Sequence, residues 1–238
     1  TFARYGLDYA ALSALTPRLC YVSCTGFGQT GPYAGKKGYD TVFQAMGGLM
    51  SLTGEKGGGP VKPGLPVADL TSGLWVAIAI LALLAGREQT GHGAHVDFSM
   101  LDGQVSLLTL AAARFFALGE VPARLGTEHP GRVPTATFLC RDGKYAPVTA
   151  SDQHWAPLCN ALGLGKMGSD PDFSSNALRL ARRDEVMTAL SEAVSKLTRA
   201  ELIAKLDAVE VPLGPVNDVA EVLADPHVRA RKLVGSFD

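Results

Sequence analysis

The longest uninterrupted apolar run, Leu74 to Ala85 (LWVAIAILALLA), narrows the folding options more than any other feature of this sequence. As a helix it is hydrophobic on every face, and such a helix belongs either in the middle of a large core or in a membrane. A membrane span needs about 20 apolar residues; this run has 12. The expectation is a buried core helix, opened by "PVADLTSG" and closed after Arg87 and Glu88 at "TGHG".

Strand-like and helix-like segments alternate around it. "RLCYVSC" reads as a strand. Val42, Phe43, Met46, Leu49 and Met50 then recur at helical spacing, with Asp40 as the expected N-cap and Gly54 as the stop. "AHVDFSM" reads as a short strand, and a helix is expected from Leu101 to Leu118. Helices and strands in alternation indicate an α/β layered domain, placed at residues 1–125. The character changes at Gly126. "TATFLCRDGKYAPVTA" is two β-like runs around Asp142-Gly143, a hairpin signal, and the helical segments after it include one opened by the capping-box pattern Thr198 to Glu201. His154 and Trp155 are expected to pack one of these helices. Residues 126–217 read as a smaller α+β domain. Residues 218–238 read as a linker with a short amphipathic helix and a basic segment. The chain starts without Met and stops without a closing element, so it is expected to be part of a longer polypeptide.

"SCTGFGQTGP" carries G-x-G-x-x-G directly after the first strand, which raises the possibility of a dinucleotide site. That fingerprint needs a helix N-terminus at the third glycine and an acid about 20 residues on. Here Gly31 is followed by Pro32 and a turn-rich segment, and the acid position falls near Glu55 in a glycine-rich loop. NAD binding is therefore disfavoured. A net charge of -1, from 22 basic and 23 acidic residues, gives no field to collect nucleic acid or an anionic membrane. Small molecules are the expected partners. Cysteines 20, 24, 140 and 159 form no C-x-x-C pair; Cys20 and Cys24 fit one strand face as small hydrophobes, which suits a reducing cytoplasm or organelle matrix. His92 and His95 have no third ligand at a zinc-like spacing, so no metal is expected. Arg182 to Glu185 is a mixed charged face.

Four segments occur in one order over nearly the whole chain: "TGFGQTGPYAGKKGYD", "GLPVADLTSGLWVAIAILALLAGREQTGHGAHVDFSMLDG", "DGKYAPVTASDQHWAPLCNALG" and "VEVPLGPVNDVAEVLADPHVRAR". Together they resemble the family III coenzyme A transferases, the group that includes formyl-CoA and carnitine CoA-transferases and α-methylacyl-CoA racemases. The resemblance implies an α/β fold with a partial Rossmann-like large domain and a smaller α+β domain, from an interlocked, ring-shaped homodimer. It implies acyl-CoA and a free carboxylic acid as substrates, with no permanently bound cofactor. It also places the chain inside a longer subunit.

As a bare residue, Asp69 in "PVADLTSG" reads as a helix N-cap; the resemblance makes it the nucleophile. An aspartate is ionised at neutral pH and needs no general base to attack a thioester. Tyr39 in "GYD" stands where racemases of the family carry a histidine, and a phenol titrating near 10 is a poor base, so α-proton exchange is disfavoured. Lys36 and Lys37 lie where the family contacts CoA, or are simply solvated lysines. Met100 matches a position near the thioester end of CoA and on its own reads as core. "GTEHPGRVP", Gly126 to Pro134, stands where some members have a glycine-rich loop over the aspartyl intermediate, but here Glu128, His129 and Arg132 interrupt it. His129 and Arg132 could meet a substrate carboxylate, which would suit a dicarboxylic acid; the alternative is a solvated loop.

Overall fold

The computed structural model describes residues 2–235 and divides into two compact units, the first ending at Gly126 and the second starting at Thr127. In the first, α1 (Tyr9–Leu15) is capped by Asp8, whose carboxylate accepts from the Ala11 amide. Strand β1 (Tyr21–Thr25) follows. It pairs in parallel with β2 (His95–Ser99), in register from Tyr21 opposite His95 to Thr25 opposite Ser99. Parallel neighbours require a long crossover, which is supplied by α2 (Asp40–Met46), α3 (Leu49–Leu52) and α4 (Val67–Thr90). After β2 come α5 (Met100–Ser106) and α6 (Thr109–Leu118).

Several expectations need correction here. The apolar run is the middle of a 24-residue helix, α4, and that helix is not buried. Only Ala68 and Ser72 are fully covered, while Leu74 is 67% and Leu81 66% exposed. The reason is one-sided packing. Helices α2 and α5 and strands β1 and β2 cover a stripe that begins at Ala68 and Ser72, and Leu70, Leu74, Ile78 and Leu81 face away from it. By length and composition α4 would also suffice to cross a membrane, which the 12-residue run alone did not indicate.

Asp40 is not the N-cap of α2; Tyr39 holds that position and Asp40 is the first helical residue. The helix expected to continue to Gly54 breaks at Gly47-Gly48. A β-carbon on Gly47 would overlap Gln104, and Gly48 has a left-handed backbone (φ 86°) before α3 begins. The single helix expected over 101–118 is two, bent by 65°. Cys20 precedes β1 and Cys24 is exposed, so the pair is not a buried apolar face.

The second unit pairs β3 (Thr135–Leu139) with β4 (Tyr145–Thr149) as an antiparallel hairpin, Thr135 opposite Thr149 and Leu139 opposite Tyr145. Gly143 supplies the positive φ (74°) at the turn. Alternate residues Ala136, Phe138, Ala146 and Val148 point into a core completed by α7 (Asp152–Ala161), α8 (Gly165–Ser169), α9 (Asn176–Ala181), α10 (Arg183–Val194) and α11 (Arg199–Asp207). Trp155, Leu158, Val186, Leu190, Leu202 and Leu206 fill its centre. Thr198 and Glu201 form the expected capping box on α11. Inside this core sits Arg179, fully buried. It donates to the carbonyls of Val133 and Phe173 at 2.8 Å each and to Asp152, and lies 5.0 Å from the Trp155 ring. The last stretch holds α12 (Val219–Ala224) and α13 (Pro226–Ala230); residues 236–238 of the expected linker lie outside the described residues.

Candidate active site

Both parallel strands end at the same edge, with Thr25 opposite Ser99, and the segments that follow converge there. In open α/β sheets the crevice beyond the carboxyl ends of the strands is where ligands bind. From β1 comes the glycine loop. Gly28 N–H donates to Thr25 Oγ1 at 2.9 Å, and Gln29 N–H donates to Asp97 Oδ2 on β2 at 2.8 Å. From β2 comes α5, capped by Ser99 Oγ, with the Leu101 amide donating to the Gly26 carbonyl at 3.2 Å.

Two of the glycines, Gly26 and Gly38, have a packing explanation, while Gly28 and Gly31 each have φ 84°. A β-carbon on Gly26 or Gly38 would lie 2.5 or 2.6 Å from the tip of the Phe43 ring, so only glycine lets the backbone run past that side chain. Phe43 is 1% exposed and meets Phe27 at 5.2 Å between ring centres, and with Ala68 they form the small core under the site. Met100 and Leu101 pack against this core. Tyr33 meets Phe27 edge-on, and Lys36 Nζ lies 3.9 Å over the Tyr33 ring, so Lys36 is tethered to the same aromatic chain by a cation–π contact. Lys37 and Tyr39 are exposed, Tyr39 at 86%.

Ala68 belongs to the first turn of α4, and Asp69 is the next residue. Asp69 is exposed and is the third helical residue; it is not the N-cap, a position held by Pro66. The amides of this turn are capped from outside. Asp40 Oδ1 accepts from Ala68 N at 2.9 Å and from Asp69 N at 3.4 Å. Gln44, one turn along α2 and fully buried, donates through Nε2 to Asp40 Oδ2 at 2.5 Å and to the Leu65 carbonyl at 3.3 Å. On the other side Gln104, also fully buried, donates to Thr71 Oγ1 at 3.2 Å.

A family model, CoA-transferase family III, matches residues 1–238. The chain belongs to that family. Among curated relatives, the succinate–glutarate CoA-transferase of Agrobacterium fabrum is 40% identical over 231 residues, and the acetyl-CoA:oxalate CoA-transferase of Acetobacter aceti 38% over 232. Each match covers 97% of this chain, but only 58% and 60% of the relatives. A solved CAIB/BAIF family protein from Brucella suis superposes with a TM-score of 0.82 at 40% identity, covering 97% of this chain and 61% of that one. This family III chain is thus a mixed helix-and-sheet protein spanning about three fifths of its relatives' length.

Within the first unit the structure brings Asp69, Met100 and the Tyr39-Asp40 pair to one strand edge, with Lys36 on its aromatic support. Gly126 ends this unit. It is exposed with φ 60°, its amide donates to the Gly54 carbonyl at 2.9 Å, and a β-carbon there would lie 3.0 Å from Glu55 Oε2. The rest of "GTEHPGRVP" belongs to the second unit and is tied down there. Arg183 donates to Glu128 at 2.8 Å and to the carbonyls of His129 and Pro130, and Asn176 bridges Gly131 O and Val133 N. His129 Nδ1 accepts the Gly131 amide at 3.0 Å, and Arg132 is exposed. His95 bonds Ser23 Oγ through Nε2 at 2.9 Å and stacks on Tyr9.

Two features were missed in the sequence. Asp40 and Gln44 stand at i and i+4, a spacing that pairs Asp with Gln on a helix, but nothing in one sequence says that the pair serves a helix 28 residues away. Burial raises the Cys140 thiol above its ordinary range and pushes that of Cys159 up to about 12, so both are inert as nucleophiles at neutral pH.

Proposed function

We propose that the protein to which this chain belongs is a CoA-transferase that moves coenzyme A from an acyl-CoA to a free carboxylic acid, with Asp69 as covalent nucleophile. The observation that carries the reading is an exposed carboxylate on the first turn of α4 at the strand-end crevice of a family III chain. An Asp69 oxygen attacks the thioester carbonyl. The C–S bond breaks and CoA leaves as thiolate, giving a mixed anhydride. The thiolate then attacks the Asp69 carbonyl carbon and expels the donor acid as its carboxylate. The incoming carboxylate attacks the resulting aspartyl-CoA thioester, and the thiolate returns to the new acyl group and frees Asp69. Each attack passes through a tetrahedral oxyanion, for which backbone N–H groups of the glycine loop other than those of Gly28 and Gln29, which are already bonded, are the proposed donors.

Lys36 and Lys37 serve the CoA phosphates, and Tyr39 and Met100 line its thioester end. Gly126, His129 and Arg132 are the residues proposed for the acid substrate. Arg132 meets the distal carboxylate of a dicarboxylic acid, a class supported by relatives whose names specify succinate, glutarate and oxalate. The first unit supplies the large CoA-binding and catalytic domain and the second the small α+β domain. The exposed stripe of α4 packs against other protein in a homodimer, in the cytoplasm or an organelle matrix, and not against lipid.

The test separates transferase from racemase, since Tyr39 is a poor base for an α-proton. The full-length enzyme is incubated in deuterated water with a chiral 2-methylacyl-CoA, with and without succinate. The expected result is CoA transfer to succinate with no deuterium at the α-carbon. Deuterium entering at a catalytic rate with no CoA moved would replace the transferase reading by the racemase.

A further inference from the structure

The start of α4 is built so that Asp69 cannot satisfy its own helix. An acidic residue at the third helical position ordinarily folds back onto the N-cap amide, as in a capping box. Here the N-cap is Pro66, which has no N–H to offer and no side-chain acceptor for the first-turn amides. The Val67 amide goes to the Leu65 carbonyl at 2.9 Å, and those of Ala68 and Asp69 are taken by Asp40 Oδ1. Asp40 is in turn fixed by Gln44, whose Nε2 has two partners, Asp40 Oδ2 and the Leu65 carbonyl, that can only accept. That fixes the orientation of the amide and leaves Gln44 Oε1 buried with no partner. A buried polar atom left unpaired is unfavourable and calls for a reason. The bonds made by the nitrogen of the same amide supply one.

We propose that Pro66 and the Asp40–Gln44 pair act as a positioning device that keeps the Asp69 carboxylate off the helix N-terminus and presented to the thioester. Pro66 removes the amide that Asp69 would bind, and Asp40 occupies the amides that remain. Asp40 is a positioning residue; it touches the backbone of Asp69 and not the substrate. The inference rests on Asp69 being the nucleophile.

The experiment follows formation of the Asp69 adduct by mass spectrometry in single turnovers of the full-length enzyme with an acyl-CoA, alongside steady-state kcat and KM and exchange of the Ala68 and Asp69 amides. Asp40→Ala is expected to slow adduct formation by about 100-fold, the scale of a misplaced reacting group, with KM for acyl-CoA within about threefold of wild type. Asp40→Asn keeps an acceptor that caps as well as aspartate, so it is expected to stay within about tenfold of wild type. Pro66→Ala restores an amide for Asp69 to bind and is expected to slow the adduct step without loss of thermal stability. It also carries the test should Asp40→Ala not fold. Wild-type adduct rates in Asp40→Ala, or in Pro66→Ala where that variant alone folds, would overturn the inference. So would an Asp40→Asn variant as slow as Asp40→Ala, which would point to charge and not capping. If the wild type forms no adduct, the transferase reading fails. The clamp is then judged by exchange alone: faster exchange of both amides in Asp40→Ala than in Asp40→Asn supports it, and unchanged protection in Asp40→Ala overturns it.

Discussion

In the second unit Val186, Leu190, Leu202 and Leu206 are each at most 1% exposed, whereas in the first unit Leu74 and Leu81, at the centre of the longest helix, are about two thirds exposed. The second closes its core with its own hairpin and helices, around Trp155 and Arg179. Among its described residues the first buries only Phe27, Phe43 and Ala68 as an apolar cluster, directly beneath the proposed site. The contrast shows that hydrophobic content does not tell where burial is achieved. One unit is stabilised locally. The other holds a polar clamp and an aromatic support in place while leaving a long apolar stripe for something else to cover. On the proposed reading that cover is protein, from the remainder of a longer subunit or from a second copy.

The largest effect that would break this comparison is in the second unit. Trp155→Ala is expected to cost about 3–5 kcal/mol, the range for emptying a packed aromatic site, read from urea unfolding. A loss below about 1 kcal/mol, the level of an ordinary tolerated change, would mean that the second core is not closed. The next is a difference between two proteins. Leu74→Ala is expected to change the stability of this 238-residue chain by less than about 0.5 kcal/mol and that of the full-length protein by about 2–5 kcal/mol. Equal small effects in both would leave the α4 stripe uncovered in the intact molecule too, and would favour a different surface for assembly.

The smallest effect concerns pH. Glu221 on α12 accepts from Arg199 at 2.8 Å, from the Asp218 amide at 3.1 Å and from Lys144 at 3.1 Å. The Arg199 hydrogen bond, then those of Asp218 and Lys144, lower its carboxyl from 4.5 to about 2. Because the folded value is the lower one, the stabilisation is fully present above the ordinary carboxylate range and is lost as pH falls from about 4.5 towards about 2. Glu221→Gln should flatten the stability–pH curve in that window and leave its shape above pH 5 unchanged. An unchanged acid limb would remove Glu221 as the clasp of α12.

Much of this architecture is legible in the sequence because it is local. Asp-Gly between β-like runs places the hairpin, Thr198 and Glu201 place the start of α11, and Pro32 shows that no helix opens at the third glycine. What is not legible depends on contacts across the chain. Asp40 looks like the cap of its own helix and instead caps α4, because Pro66 offers no side-chain acceptor to the Ala68 and Asp69 amides. The glycines around residue 30 resemble a phosphate cradle, while Gly26 and Gly38 are required by the Phe43 ring between them. The apolar run promised burial, a property that depends on neighbours no periodicity can count. Asp69 was singled out only through the family resemblance, since the bare pattern gives a cap.

The most direct measurement is to trap the covalent intermediate. The full-length protein is incubated with an acyl-CoA such as succinyl-CoA, quenched with hydroxylamine, digested, and the peptide spanning "PVADLTSG" is sequenced by mass spectrometry. Asp69→Ala serves as control and should remain folded, because Asp69 is exposed and its helix is capped by Asp40, so the loss is limited to a first-turn dipole contribution of about 0.3–1 kcal/mol. The predicted result is a hydroxamate at Asp69 in the wild type and neither modification nor CoA transfer in Asp69→Ala. CoA transfer by Asp69→Ala at the wild-type rate, or a hydroxamate on a different residue, would contradict the assignment of Asp69 as nucleophile.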